Sequence, residues 1–365
     1  MLSGKLKHPN SRPKGGVLHV GKYFPPHRGG METILRDQVE MEIRSKGLRT
    51  SVVVHSTKQS LFDSVVTMKS GYRVRYAARW FTLIFAPIAP FFAISLQKEI
   101  KLLQPDIIRI HAPNLSAFWL FVTPAAWSRQ WEIVWHSDVI PSKYSVGLRL
   151  FYYFYRPFEL LLLSRAHRII ATSQDYLDSS IPLMPFKHKC HVEALEIDSE
   201  RIPIALRTST QPKKEIGEGL RILCVGRLTY YKDFGTAIRA AFRFAVAKLR
   251  IVGDGTERAS LEMLVKELDL SHRVTFFGEC SDDELWSHYA WADALCLPSI
   301  ERTEAFGLTV NEAAAFSKPS VVSDLDGSGL PWNARRSHPL SRGFIPGNAD
   351  SLADALKALN RSMLS

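Results

Sequence analysis

The sequence is poor in several features that would have pointed elsewhere. Among 365 residues there are four cysteines, Cys190, Cys224, Cys280 and Cys296, and no two form a CxxC pair. That argues against a disulfide framework and a zinc ribbon. Cys224 and Cys296 sit in apolar runs and read as small buried hydrophobes of a reducing compartment. A long uninterrupted apolar run is also missing. The most membrane-like stretch, Trp80–Leu96, spans 17 residues and contains Pro87 and Pro90, against the roughly 20 that a spanning helix prefers. It predicts a buried or interfacial helix. Met1–Gly16 is basic and polar and lacks the apolar centre of a signal peptide, so it reads as a basic tail. No internal repeat or low-complexity tract is present. No GxGxxG follows the first strand, which disfavours a nicotinamide-type oxidoreductase, and no known nucleic-acid-binding module is recognisable.

What is present is ordinary soluble-protein composition, 46% hydrophobic and 23% charged, in a chain about twice the usual single-domain length. The net charge of +11 is unevenly spread. Residues 1–195 carry 26 Lys and Arg against 13 Asp and Glu, a net of +13, and residues 196–365 carry 21 against 23, a net of −2. A basic half of this kind suits nucleic acid, an anionic membrane surface or an acidic substrate.

Short apolar β-type runs alternate with longer helical patterns. The first half offers Val17–Val20, Ser51–Val54, Ile107–Ile110, Ile133–Trp135 and Arg168–Thr172. The second offers Arg221–Val225, Leu249–Val252, Arg273–Phe277, Ala294–Leu297 and Ser320–Ser323. Several are apolar throughout, as in a parallel sheet covered on both faces. Between them run helices such as Met31–Lys46, with Met31, Ile34, Leu35, Val39 and Ile43 on one stripe. Strand and helix alternating twice over predict an α/β protein of two doubly wound, Rossmann-like domains, 17–195 and 220–365. They are expected to face a cleft, joined by the Pro- and Gly-containing stretch 196–219.

Four segments carry possible chemistry. The turn Gly21–Gly30 leads from the first strand into a helix, and Gly29-Gly30 lets backbone approach a ligand at a helix N-terminus, although such a pair is often only a tight turn. After Arg221–Val225 come Gly226 and Arg227, with Lys232 five residues on, two cations able to converge on a diphosphate or simply to lie solvated. Gly253-Asp254-Gly255 is a tight turn with no catalytic role assigned. The most specific stretch is Pro298–Glu312, where Glu304 and Glu312 flank Phe306-Gly307 and a helix opens near Leu308. Two carboxylates so placed are strong acceptors for sugar and ribose hydroxyls.

In their order and spacing these segments resemble the family 4 retaining glycosyltransferases of the GT-B fold, from about Val17 to Ala358. The resemblance implies that Arg227 and Lys232 bind the donor diphosphate, that Glu304 contacts the transferred sugar with Phe306 and Gly307 beside it, and that Glu312 meets the ribose. It places Gly29 and Gly30 against donor phosphates or acceptor. His136, in Trp135-His136-Ser137-Asp138, would approach the sugar in preference to His111. The chain departs from many relatives at Ser317 and at Ala194–Asp198, where they have glycines. It also stops at Ser365, before a final bracing helix that many of them have.

The resemblance further implies a retaining transferase with no metal and no cofactor, since no Asp-x-Asp pair appears in a loop suited to hold a metal on the diphosphate. Its substrates would be a nucleotide-sugar, most simply GDP-mannose, and a lipid-linked or oligosaccharide acceptor in surface polysaccharide assembly. The expected setting is the cytoplasmic face, with an anionic membrane surface as possible partner and no nucleic acid. Another GT-B sugar-nucleotide enzyme such as an epimerase, or an inactive or nucleic-acid-binding scaffold, stays open at this point.

Overall fold

A computed structural model describes residues 15–27, 29–83, 86–139, 146–207, 219–244 and 248–364. Most of the basic tail, and residues 208–218 of the stretch read as a linker, lie outside them.

The first sheet is built from β1 (Gly16–Val20), β2 (Arg49–His55), β3 (Ser64–Thr67), β4 (Arg73–Ala77), β7 (Ile107–Ala112), β8 (Gln130–Trp135), β9 (Arg168–Ala171) and β10 (Cys190–Val192), whereas β5 (Phe81–Leu83) and β6 (Ala86–Ile88) form a separate antiparallel pair. Its order is β10-β9-β8-β7-β1-β2-β4-β3. The pairs β1–β2, β1–β7 and β2–β4 are parallel, and the edge strand β3 runs antiparallel to its neighbour β4. The second sheet holds β11 (Arg221–Val225), β12 (Lys248–Val252), β13 (Val274–Gly278), β14 (Ala294–Leu297), β15 (Ser320–Ser323) and β16 (Arg342–Phe344). Its order is β13-β12-β11-β14-β15-β16, every pair parallel.

The period of two along β11 explains why that second sheet is covered on both faces. Ile222 and Cys224 enter one apolar layer with Ile238, Leu352 and Leu356, while Leu223 and Val225 enter another with Trp286, Val310 and Leu330. The flanking helices are bounded by local chemistry. Gly47 closes the helix Gly30–Lys46 in the left-handed conformation, its N–H reaching the carbonyls of Glu42 and Ile43. Ser281 and Glu284 form a reciprocal capping box on the helix Asp282–Trp291.

Two sequence expectations are corrected. Trp80–Leu96 is not one helix: β5 and β6 occupy its first half and the helix Phe92–Leu103 begins only after Pro90. Pro87 and Pro90 each lack an amide donor, so a helix running through them is disfavoured. Residues 84–85 lie outside the described set. Among the described residues no helix is long and apolar enough to cross a membrane. The stretch 196–219 is not simply a linker either. Ile202 is 1% exposed in the apolar layer around Trp286, and Arg201 bonds the Glu312 carboxylate.

The chain divides into two compact units, Met1–Val134 with Ser142–Ile169, and Trp135–Pro141 with Ile170–Ser365. The second therefore begins ahead of the compositional boundary. Its strap around Asp138 and its helix Gln174–Ser179 bond within it, through Asp138 to Arg302 and through Ser179 to Gly327.

Candidate active site

In the second sheet the strand order reverses between β11 and β14, with β12 and β13 on one side and β15 and β16 on the other. The carboxyl ends of strands at such a switch point are where open α/β sheets bind ligands. Both cation-bearing and carboxylate-bearing segments leave from there.

After β11, Gly226 takes φ of +152° and Arg227 follows, exposed. Among the described residues the Arg227 guanidinium makes no ion pair. Lys232 ends the short turn Tyr230–Lys232, is 9% exposed, and bonds the Glu304 carboxylate. Its Cε and Nζ lie 3.3 Å from where a Cβ on Gly226 would stand, so glycine there lets the ammonium fold over the strand end. Burial alone would lower the Lys232 pKa, but the Glu304 carboxylate together with Tyr231 raises it and the net direction is upward. Lys232 is a buried, charged ammonium.

After β14, Ser299 Oγ donates to Glu304 Oε2 at 3.3 Å. The backbone of this loop is pinned from the segment after β15. Ser328 Oγ donates to the Glu304 carbonyl at 2.6 Å, and the Gly329 N–H to the Ala305 carbonyl at 2.8 Å. The fully buried Asn333 donates to the carbonyls of Phe306 and Gly307 at 3.1 and 3.3 Å. Gly307, at φ of +72°, caps the helix Leu308–Ala315, and a Cβ there would meet Leu330 at 2.4 Å. Phe306 is buried near Trp332. Glu312 sits inside that helix, accepting from Tyr289 Oη at 2.7 Å and Arg201 Nη2 at 3.2 Å.

His136 follows β8 in the second unit and is 8% exposed. Burial pushes its imidazole down to about 4, so at neutral pH it is an uncharged donor and acceptor. Unfolded, it takes a proton near 6.5. Between those values the unfolded chain binds more protons than the folded one, so stability falls as pH drops through the window. We expect His136 to account for about 2 kcal/mol of lost stability between pH 7 and 5. Urea midpoints at the two pH values, for wild type and His136→Asn, check this; equal pH sensitivity in both would refute it.

Gly29 and Gly30 belong to the first unit. Gly29 caps the helix Gly30–Lys46, and a Cβ on it would fall 2.2 Å from the Glu32 carboxylate. A carboxylate thus already faces that N-terminus. The structure brings Lys232 and Glu304 into contact, sets Arg227 on the same strand-end loop as Lys232, and places Glu312 on the helix following Glu304.

Sequence reasoning missed Ser299, Asn333, Tyr289 and Arg201, which hold those residues. It also passed over Asp324 and Asp326 just after β15, where Asp324 pairs with Arg335 at 3.5 Å. Among the described residues no cluster of three His, Cys, Asp or Glu side chains suits a metal ion.

Comparison with known proteins gives the family. The family described as Glycosyltransferase Family 4 matches residues 28–198, and Glycosyl transferases group 1 matches residues 207–361. The O-antigen chain mannosyltransferase C of Escherichia coli is 26% identical over 347 residues, 94% of this chain and 88% of that protein. A GDP-mannose-dependent alpha-(1-6)-phosphatidylinositol monomannoside mannosyltransferase of Mycobacterium tuberculosis is 29% identical over 143 residues, 37% of each chain. The solved sucrose-phosphate synthase of Thermosynechococcus elongatus has a TM-score of 0.75 at 19% identity, covering 96% of this chain and 91% of that one. The chain belongs to the family 4 glycosyltransferases, enzymes of the GT-B fold.

Proposed function

We propose that this glycosyltransferase moves mannose from GDP-mannose, with retention, onto a lipid-linked or oligosaccharide acceptor in surface polysaccharide assembly. The observation that carries the site assignment is the Lys232–Glu304 pair at the switch point. A donor diphosphate between Lys232 and Arg227 takes over the ammonium, and Glu304 is released to accept from a sugar hydroxyl. Glu312 turns toward the ribose, and His136 presents a neutral imidazole to the sugar. Gly29 and Gly30 keep the role that the resemblance gives them, against donor phosphates or acceptor.

In this reading the bond between the sugar's anomeric carbon and the diphosphate breaks as the acceptor oxygen bonds to that carbon on the same face. The acceptor proton passes to a phosphate oxygen. Charge building on the leaving diphosphate is met by Arg227 and by Lys232, which is buried in place before the reaction begins. The choice of mannose rests on the two mannosyltransferases named above.

A thermal-shift panel of GDP-, UDP- and ADP-sugars tests the donor. At 100 times Kd the true donor adds about 2.7 kcal/mol of stability. A gain with UDP- or ADP-sugars and none with GDP-mannose overturns the choice.

Membrane association is proposed for the basic half. On the helix Val146–Arg165, Tyr153, Phe154, Phe158 and Leu161 are each at least half exposed, and residues 1–195 carry the +13 surplus. Apolar side chains bury at an interface and nearby cations add about 1 kcal/mol each. The protein is expected to sediment with anionic vesicles, less with neutral ones, and to detach as salt rises. Recovery only in the supernatant removes the claim.

A further inference from the structure

Arg302 stands two residues before Glu304, and each nitrogen of its guanidinium donates a hydrogen bond. Nη1 donates to Asp138 Oδ2 at 3.0 Å, Nη2 to Ser179 Oγ at 2.9 Å, and Nε to the Gly327 carbonyl at 3.3 Å. The cation also lies 4.6 Å from the centre of the Tyr176 ring. Its partner Asp138 stands two residues after His136. Asp138 Oδ1 accepts from Trp135 Nε1 at 2.8 Å and Ser180 Oγ at 2.7 Å, and its N–H donates to Tyr176 Oη at 2.6 Å. All of these residues belong to the second unit. The side chains of Asp138 and Arg302 are 5% and 24% exposed, so solvent screens the pair only in part.

Two chain segments that follow different strands are thereby tied at one ion pair. One carries His136 and the other Glu304. Arg302 has three N–H groups committed to Asp138, Ser179 and Gly327, all in the second unit. It sits where a shift in either segment would be passed to the other.

We propose that Arg302 is a positioning residue. Through Asp138 it fixes the strap bearing His136 to the loop bearing Glu304, so that both keep one geometry toward the transferred sugar. This rests on the reading of His136 and Glu304 as sugar-facing groups. Misplacement of a reacting group by about 1 Å costs on the order of a hundredfold in rate, which sets the scale of the effect.

The test compares Arg302→Gln, Asp138→Asn and the double variant with His136→Asn and Glu304→Gln as references. The full chain is used, with the sugar nucleotide singled out by the panel. Release of nucleoside diphosphate gives kcat, and calorimetry gives Kd for the bare nucleoside diphosphate. Each single variant is expected to lower kcat about tenfold to a hundredfold with Kd nearly unchanged. The double variant should be no slower than the slower single one, because both break the same link. Arg302→Lys, which keeps the charge toward Asp138, should recover part of the loss.

A folded Arg302→Gln protein with wild-type kcat and only a lower Tm overturns the proposal and leaves a stabilising clamp. Additive losses in the double variant overturn the link between the two residues. Wild-type kcat in both reference variants removes the sugar-facing reading itself, and the proposal with it. Should Arg302→Gln fail to fold, Ser179→Ala removes one neutral partner of the guanidinium and makes the same comparison.

Discussion

Glu304→Gln is expected to lower kcat by about a hundredfold while the bare nucleoside diphosphate binds as tightly as before, or slightly tighter. Glutamine keeps the shape of the side chain and the bond from Ser299 Oγ, but it is a weaker acceptor for a sugar hydroxyl whose charge changes in the transition state. Removing one fixed polar group aimed at such a centre typically costs about a hundredfold to a thousandfold. The nucleotide behaves differently because its phosphates meet Lys232, and a carboxylate beside that ammonium repels them. The same variant removes the carboxylate that opposes the effect of burial on Lys232, so its pKa drops. Lys232→Ala is expected to give the complementary pattern. It loses a charge-assisted contact to the phosphates, worth about tenfold to a hundredfold in kcat/KM, with nucleoside diphosphate affinity falling as well. Steady-state kinetics paired with calorimetry separates the two. Wild-type kcat in folded, donor-saturated Glu304→Gln protein would remove Glu304 from the sugar.

How much of this was legible beforehand depends on whether the information was local. All ten strands read from apolar runs are present, within a few residues at their ends, and all but the edge strand β13 lie inside a sheet, where a parallel strand buried on both faces must be apolar almost throughout. The strands that escaped are peripheral or short. Arg73–Ala77 alternates charged and apolar residues, with Arg73 and Arg75 both bonded to Glu99. Ser64–Thr67 is exposed along its whole length, and Arg342–Phe344 is three residues long at a sheet edge. Trp80–Leu96 misled because its apolar content exceeds its helical capacity, which the two prolines limit.

In the site, Arg227, Lys232, Glu304 and Glu312 lie in segments that follow strands, and it is the order and spacing of those segments, through the family resemblance, that single them out. That β11 and β14 are neighbours is a property of topology, and no residue signals it. Arg302 and Asp138 are 164 positions apart in sequence. Asp138 was visible only as the residue two after a histidine, and Arg302 only as one more charge between two glutamates. Asn333 gave less still, since a buried amide holding carbonyls looks in sequence like any surface asparagine.

The turn Gly253-Asp254-Gly255, to which the sequence assigns no catalytic role, has a supporting one in the structure. The loop presenting Arg227 is interlocked with it. The Gly226 N–H donates to the Val252 carbonyl at 3.0 Å, the Leu228 N–H to the Asp254 carbonyl at 2.9 Å, and the Gly253 N–H to the Gly278 carbonyl at 2.7 Å. Gly253 has φ of +130°, and a Cβ on it would fall 2.0 Å from the Gly226 carbonyl oxygen. That neighbour is backbone just beyond the end of β11 and has no rotamer to change. Gly253→Ala must therefore displace Gly226, over which Lys232 folds, and carry Arg227 with it. The expected cost is about 4 kcal/mol, at the upper end for a single substitution, with a loss of kcat/KM that exceeds the loss in folded fraction. Gly71→Ala is the control. Gly71 also has positive φ, +85°, but nothing lies within 4 Å of its would-be Cβ, so conformational strain alone should cost about 1–2 kcal/mol. Urea unfolding of the two variants, with nucleotide-sugar turnover measured on the folded fraction, distinguishes close approach from strain. A Gly253→Ala protein as stable and as active as Gly71→Ala would show that the Gly226 loop can yield, and that the turn does not set the position of Arg227.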